Sequence, residues 1–88
     1  MKKDILYIHG FDGCPFFYNA CLYAAILKKE NKCKDYEIIS YERNKFLEFL
    51  DSNTESKNHG HKTCPFVIHD NVYVGGCDSL YKYFELKK

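Results

Sequence analysis

Ile5-Leu6-Tyr7-Ile8-His9-Gly10-Phe11-Asp12-Gly13-Cys14-Pro15-Phe16-Phe17 carries the reading of the fold. The apolar run at 5–8, closed by His9-Gly10, predicts a strand covered on both faces, as at the centre of a parallel sheet. Residues 10–13 read as a turn that delivers Cys14 to its end. Pro15 suits a first helical position, because its ring presets φ and an N–H there would be unpaired anyway. A helix therefore starts at about Pro15. Phe16, Ala20, Tyr23 or Ala24, and Leu27 recur at helical spacing, and Lys28-Lys29 fall in the last turn, where cations meet the negative end of the dipole. The helix is expected to end near Glu30.

Outward from this unit, residues 36–40 (Tyr-Glu-Ile-Ile-Ser) read as a second strand after a polar connection. Phe46, Leu47, Phe49 and Leu50 place an apolar stripe on a helix from about Glu42 to the middle fifties. Residues 51–61 are polar, and this stretch is expected to be the least ordered. Phe66-Val67-Ile68 and Val72-Tyr73-Val74 flank His69-Asp70-Asn71 as a hairpin would. Gly75-Gly76 ends the second run. Cys77-Asp78-Ser79 opens a last helix with Leu80, Tyr81 and Phe84 on one face, and Asp78 or Ser79 is available as a cap. The predicted order is β-α-β-α-β-β-α, an α/β chain.

The chain has 88 residues, short of the usual domain size of about 100–150, so one domain over 1–88 is expected. With 45% apolar and 28% charged residues the composition is that of a globular chain, not a disordered or membrane-spanning one. Thirteen Lys+Arg against twelve Asp+Glu leave +1, so no global field would hold nucleic acid or an anionic membrane. The apolar run at 5–8 is too short for a signal h-region or a spanning helix, and a cytoplasmic location is expected. Five cysteines, at 14, 21, 33, 64 and 77, are an odd number whose spacings match neither a secreted disulfide framework nor a paired zinc ribbon. A reducing compartment and reactive thiols fit that pattern better.

Three short segments could carry chemistry. Cys14 at a strand-to-helix turn faces unpaired N–H groups and the positive end of the helix dipole, which favour the thiolate that attacks disulfides. A buried, inert cysteine would read the same way. Thr63-Cys64-Pro65 precedes a strand, where a proline is tolerated because it need not donate to the ladder. Gly75-Gly76-Cys77-Asp78 opens a helix whose first N–H groups would seat a carboxylate, although strand termination explains the glycines equally well. Cys21 lies two helical turns from Cys14, about 10.5 Å along one face, too far to bond, and reads as core. Cys33, in a polar connection, reads as exposed. His59, His61, Cys64 and His69 can be sketched as metal ligands, but their spacing fits no ordinary zinc pattern, and no metal site is expected.

Together these segments resemble the glutaredoxin family of the thioredoxin fold. Cys14-Pro15-Phe16-Phe17 stands where the family carries Cys-Pro-Tyr-Cys, Thr63-Cys64-Pro65 where it carries Thr-Val-Pro, and Gly75-Gly76-Cys77-Asp78 where many members carry the same letters. The resemblance implies a thioredoxin-like four-stranded mixed sheet flanked by helices, and a cis Pro65 whose loop faces Cys14. It also implies a glutathione site made from Thr63, Cys64, Pro65, Gly76, Cys77 and Asp78. The departures are equally specific. Phe17 replaces the second active-site cysteine, which removes the Cys-x-x-Cys route and leaves a monothiol cycle on Cys14. Phe11 replaces a lysine that helps the family bind glutathione, with His61 and Lys62 as partial substitutes. Cys64 either fills the small apolar space of the family valine or acts as a resolving partner for Cys14.

The resemblance implies a glutathione-dependent thiol–disulfide oxidoreductase, redox-active through Cys14, with glutathione as co-substrate and glutathionylated or disulfide-containing proteins as partners. No nucleic acid and no membrane partner is expected. The alternative is a glutathione-binding iron–sulfur carrier or a catalytically dormant interaction module. Proline after Cys14 leans away from the carrier branch, which usually has glycine there.

Overall fold

The computed structural model describes residues 4–86; residues 1–3 and 87–88 lie outside the described part. Strand β1 (Ile5–Phe11) leads into α1 (Pro15–Lys29), followed by β2 (Asp35–Tyr41), α2 (Arg43–Ser52) and α3 (Thr54–His59). The hairpin β3 (Phe66–His69) and β4 (Val72–Gly75) then precedes α4 (Cys77–Leu86). The strands form one sheet in the order β2-β1-β3-β4. β1 runs parallel to β2 and antiparallel to β3, so the surroundings of β1 are mixed rather than purely parallel. This is the thioredoxin-like α/β arrangement, with one helix more than the sequence pattern predicts.

Alternation along β1 divides the core into two layers. Leu6 and Ile8 point to one face, where they meet Phe17, Ala20, Ala24 and Leu27 of α1 and Leu80 and Phe84 of α4. On the other face Phe11 joins Phe46 and Leu50 of α2 and Phe66 of β3. Two faces of one central strand thus seat helices on both sides, which is what covers the backbone ladder from water.

The buried stripe of α1 begins at Phe17 and not at Phe16, which is 56% exposed. Positions 17, 20, 24 and 27 keep the 3-4-3 spacing of one helical face, and Phe16 lies about 100° away from it. Gly10 makes room for this phase. A Cβ built on Gly10 would run into the Phe17 ring, so the ring rests directly on the β1 backbone. Leu47 of the α2 stripe is likewise exposed, whereas Phe46 and Leu50 are buried.

Residues 51–61, expected to be the least ordered, instead hold α3. The Asn53 side chain accepts from the Ser56 N–H at 3.0 Å, and Gly60 ends the helix at φ 63°, in the left-handed region. Ser56 is buried and its hydroxyl donates to the His61 carbonyl at 3.0 Å. Capping, rather than apolar periodicity, organises this stretch. At the hairpin, Asp70 adopts φ 56° and its carboxylate accepts from the Ile5 N–H at 2.9 Å, which ties the turn to the start of β1. Cys77 is already the first residue of α4, so Asp78 sits in the first turn, where its charge suits the dipole, rather than at the cap.

The Gly10–Phe17 contact predicts strong coupling. Gly10→Ala should destabilise by about 1–3 kcal/mol through overpacking, and Phe17→Ala by about 3–5 kcal/mol through the cavity it leaves. The double variant should cost clearly less than the sum in urea unfolding, since the methyl group enters the vacated ring space. Additive costs would contradict the packing described.

Candidate functional site

The site forms where the end of β1, the start of α1, the 63–65 loop and the start of α4 converge. Cys14 occupies the N-cap of α1 in an extended conformation, and its side chain makes no capping hydrogen bond to the helix. Cys14 Sγ lies 3.7 Å from the carbonyl oxygen of Cys64. The Cys64–Pro65 peptide bond is cis, as the resemblance implies. Pairing between β1 and β3 ends at His9 and Phe66, so the backbone of 63–65 continues past the ladder.

A cleft of about 400 Å³ opens beside this loop. Thr63 and Cys64 form one wall; Gly76, Cys77 and Asp78 form the opposite one. Five of the six residues expected to seat glutathione therefore line one cavity, and Pro65, buried beneath, carries the loop. Asp78 is exposed at the cleft rim. Gly75, at φ 121° and with Ser79 only 2.9 Å from where a Cβ would be, allows the sharp entry into α4 that brings this wall close. Phe16, Tyr73 and Ser79 also line the cleft and were not singled out by sequence. The exposed phase of Phe16 on α1 is what turns its ring toward that opening.

His61, read from the resemblance as a partial substitute for the family lysine, is committed elsewhere. It is buried, and its Nε2 is 2.7 Å from the Thr63 carbonyl and 2.9 Å from that of Pro65. Carbonyls only accept, so Nε2–H donates to both and clamps the two residues that flank Cys64. Nδ1 pairs with the Tyr73 hydroxyl at 2.6 Å. His61 is thus a loop fastener, and Lys62 alone remains as an exposed cation there. Phe11 is likewise committed to packing, edge-on to Phe46 with ring centroids 5.5 Å apart. The resemblance lysine is replaced here by a core residue, not by another polar contact.

The five thiols are all free and differ sharply in surroundings. Burial pushes Cys21 up to about 11. Cys64 is pushed up to about 12, first by burial and then by its hydrogen bond to Cys14, with the Phe11 backbone N–H acting in the opposite direction. Cys33 is not exposed as the sequence suggested: it is 2% exposed, tucked under the end of α1 with its N–H toward the Leu27 carbonyl. Burial and the charges of Asp4 and Asp35 raise it too. Cys77 is buried, and as a neighbour it pushes the Tyr81 hydroxyl up to about 12, ahead of burial. Among the described residues no group of three or more His, Cys, Asp or Glu is placed to hold a metal ion, and no helix is long and apolar enough to cross a membrane.

Comparison with known proteins gives a consistent answer. The chain is similar to Glutaredoxin 1 of Rickettsia felis, 33% identical over 92 residues that span all of this chain and 79% of the relative. Glutaredoxin 1 of Rickettsia conorii is 32% identical, with the same coverage of both chains. The solved structure of reduced Escherichia coli glutaredoxin has a similar fold, with a TM-score of 0.63 at 17% identity, covering 93% of this chain and 94% of that one. No protein-family model matches the chain.

The thiol environments predict an order of reaction. A thiol held at about 11 or 12 is ionised to about one part in a thousand or less at pH 8, so Cys21 and Cys64 should resist alkylation until the pH approaches those values. Half-exposed Cys14 should be alkylated first at neutral pH, ahead of buried Cys33 and Cys77. Peptide mapping after brief iodoacetamide treatment checks this; first modification at Cys33 or Cys77 would contradict it.

Proposed function

The chain belongs to the glutaredoxin family, whose members are thiol–disulfide oxidoreductases, and we propose that it acts on glutathione mixed disulfides by a monothiol cycle centred on Cys14. The observation that carries this reading is the cleft that joins the Cys64 loop to the Cys77-Asp78 helix start, with the Cys14 sulfur outside its lining but 3.7 Å from the Cys64 carbonyl. An extended γ-glutamyl tripeptide can lie with its backbone along 63–65, past the end of the β3 ladder, while its α-carboxylate meets the first N–H groups of α4. Asp78 takes the neighbouring ammonium.

In the proposed cycle the Cys14 thiolate attacks the glutathione sulfur of a glutathionylated protein. The protein thiolate leaves and takes up a proton, and glutathione stays bound to Cys14 as a mixed disulfide. The thiolate of a second glutathione then attacks the glutathione sulfur of that bond, releasing glutathione disulfide and restoring Cys14. Phe17 cannot supply a second sulfur, and its ring is 6% exposed within the core. Glutathione is the co-substrate, glutathionylated proteins are the partners, and a reducing compartment such as the cytoplasm suits the free thiols.

The test is turnover of a glutathionylated peptide in the presence of reduced glutathione. Cys14→Ser should abolish it. Asp78→Ala should raise the concentration of glutathione needed several-fold, an exposed charge pair being worth about 1 kcal/mol. Turnover that survives in Cys14→Ser would overturn the nucleophile assignment. A wild-type protein that binds glutathione and never turns over would leave the dormant-module reading, and one purified brown with a cluster would leave the carrier.

A further inference from the structure

Cys64 has surroundings that a valine in its place would not need. Its side chain packs against both core layers, and its sulfur meets two groups from the opposite side of the site. One is the N–H of Phe11, which lies past the last β1–β3 pair and so is free to point across the gap. The other is Cys14, whose Sγ lies 3.7 Å from the Cys64 carbonyl and whose thiol raises that of Cys64. Two cysteines thus face each other, one at the N-cap of α1 and one on the 63–65 loop, with the sulfur of the first 3.7 Å from the carbonyl of the second, while a phenylalanine fills the usual second-thiol position.

We propose that Cys64 is a resolving thiol, which attacks the glutathionylated Cys14 across the loop and converts it to a Cys14–Cys64 disulfide. This rests on the reading of Cys14 as the thiol that accepts glutathione. In the step, the Cys64 sulfur attacks Cys14 Sγ, the Cys14–glutathione bond breaks, and the glutathione thiolate leaves with the proton that Cys64 gives up. Cys64 is oxidised and the glutathione sulfur is reduced, so one glutathione is released and two hydrogens are lost from the pair. Two further glutathiones reopen the internal disulfide: one re-forms the mixed disulfide on Cys14, and the second departs with it as glutathione disulfide.

The electrostatics bear on when Cys64 can act. In the free enzyme Cys14 opposes loss of the Cys64 proton, through the interaction of the two thiols and through like charge. Once Cys14 is joined to glutathione it carries no charge, and both of these effects vanish. Burial still opposes ionisation, and the Phe11 N–H still favours it. The reaction is intramolecular, and a held contact between reacting atoms compensates for a small thiolate fraction. The same loop that seats the tripeptide would therefore release it.

Mass spectrometry of the reduced full chain after a pulse of glutathione disulfide, acid quench and peptide mapping tests this, with wild type beside Cys64→Val and Cys64→Ser. Wild type should lose two hydrogens and yield a peptide linking Cys14 to Cys64, with little retained glutathione. Both variants should hold one glutathione on Cys14 roughly tenfold longer or more. If wild type retains glutathione on Cys14 as long as the variants do and no Cys14–Cys64 peptide is found, the resolving role is overturned while the monothiol reading stands. If Cys14 takes up no glutathione in any of the three chains, both fall. The linked peptide in wild type decides the matter even where a variant folds poorly.

Discussion

The contact on which the rest depends is the Phe17 ring lying on the bare backbone of Gly10. It fixes the rotational phase of α1 on the sheet, and that phase determines what lies on each side of the helix start. Phe17, Ala20, Ala24 and Leu27 go inward, and Phe16 goes out to the cleft. It also fills with core the place where a second active-site sulfur would have been. Bringing a cysteine back to position 17 would therefore open a cavity as well as add a thiol, and the large-to-small cost applies to it. The absence of a second sulfur three residues after Cys14 is thus built into the packing of this chain.

A second constraint follows from β1 being central. Its two faces feed two aromatic and aliphatic layers, and residues that a polar site could have used are absorbed by them. Phe11 packs on Phe46, and His9 stacks on Phe49 with centroids 4.6 Å apart. Burial lowers His9 to about 4, so it is neutral at physiological pH and adds no cation to the site.

Much of this was legible in the sequence because local rules applied. Pro15 marked the start of α1, Gly75-Gly76 the end of β4, and the Asp70-Asn71 pair the hairpin. The wall residues Thr63, Cys64, Gly76, Cys77 and Asp78 were recognisable as a set through family resemblance. What stayed hidden depended on partners distant in sequence or on phase. Helix α3 has no apolar stripe to reveal it, although Asn53 and Gly60 at its ends are the cap signals that could have done so. The role of His61 needs Tyr73, twelve residues on, and two carbonyls that only the folded loop brings together. Cys33 sits in a polar stretch and is buried only because the chain folds back beneath α1. Phe16 and Phe17 are both apolar and adjacent, and only the glycine across the gap distinguishes them.

The central claim is that glutathione reaches Cys14 through the cleft between the 63–65 loop and the start of α4. The most direct measurement is a crystal structure of the Cys64→Val chain trapped with glutathione in mixed disulfide with Cys14. The account predicts the tripeptide backbone alongside residue 64, its γ-glutamyl carboxylate on the first N–H groups of α4 and its ammonium against Asp78. Glutathione extending away from that cleft, or held on the far side of α1 with Asp78 untouched, would contradict it.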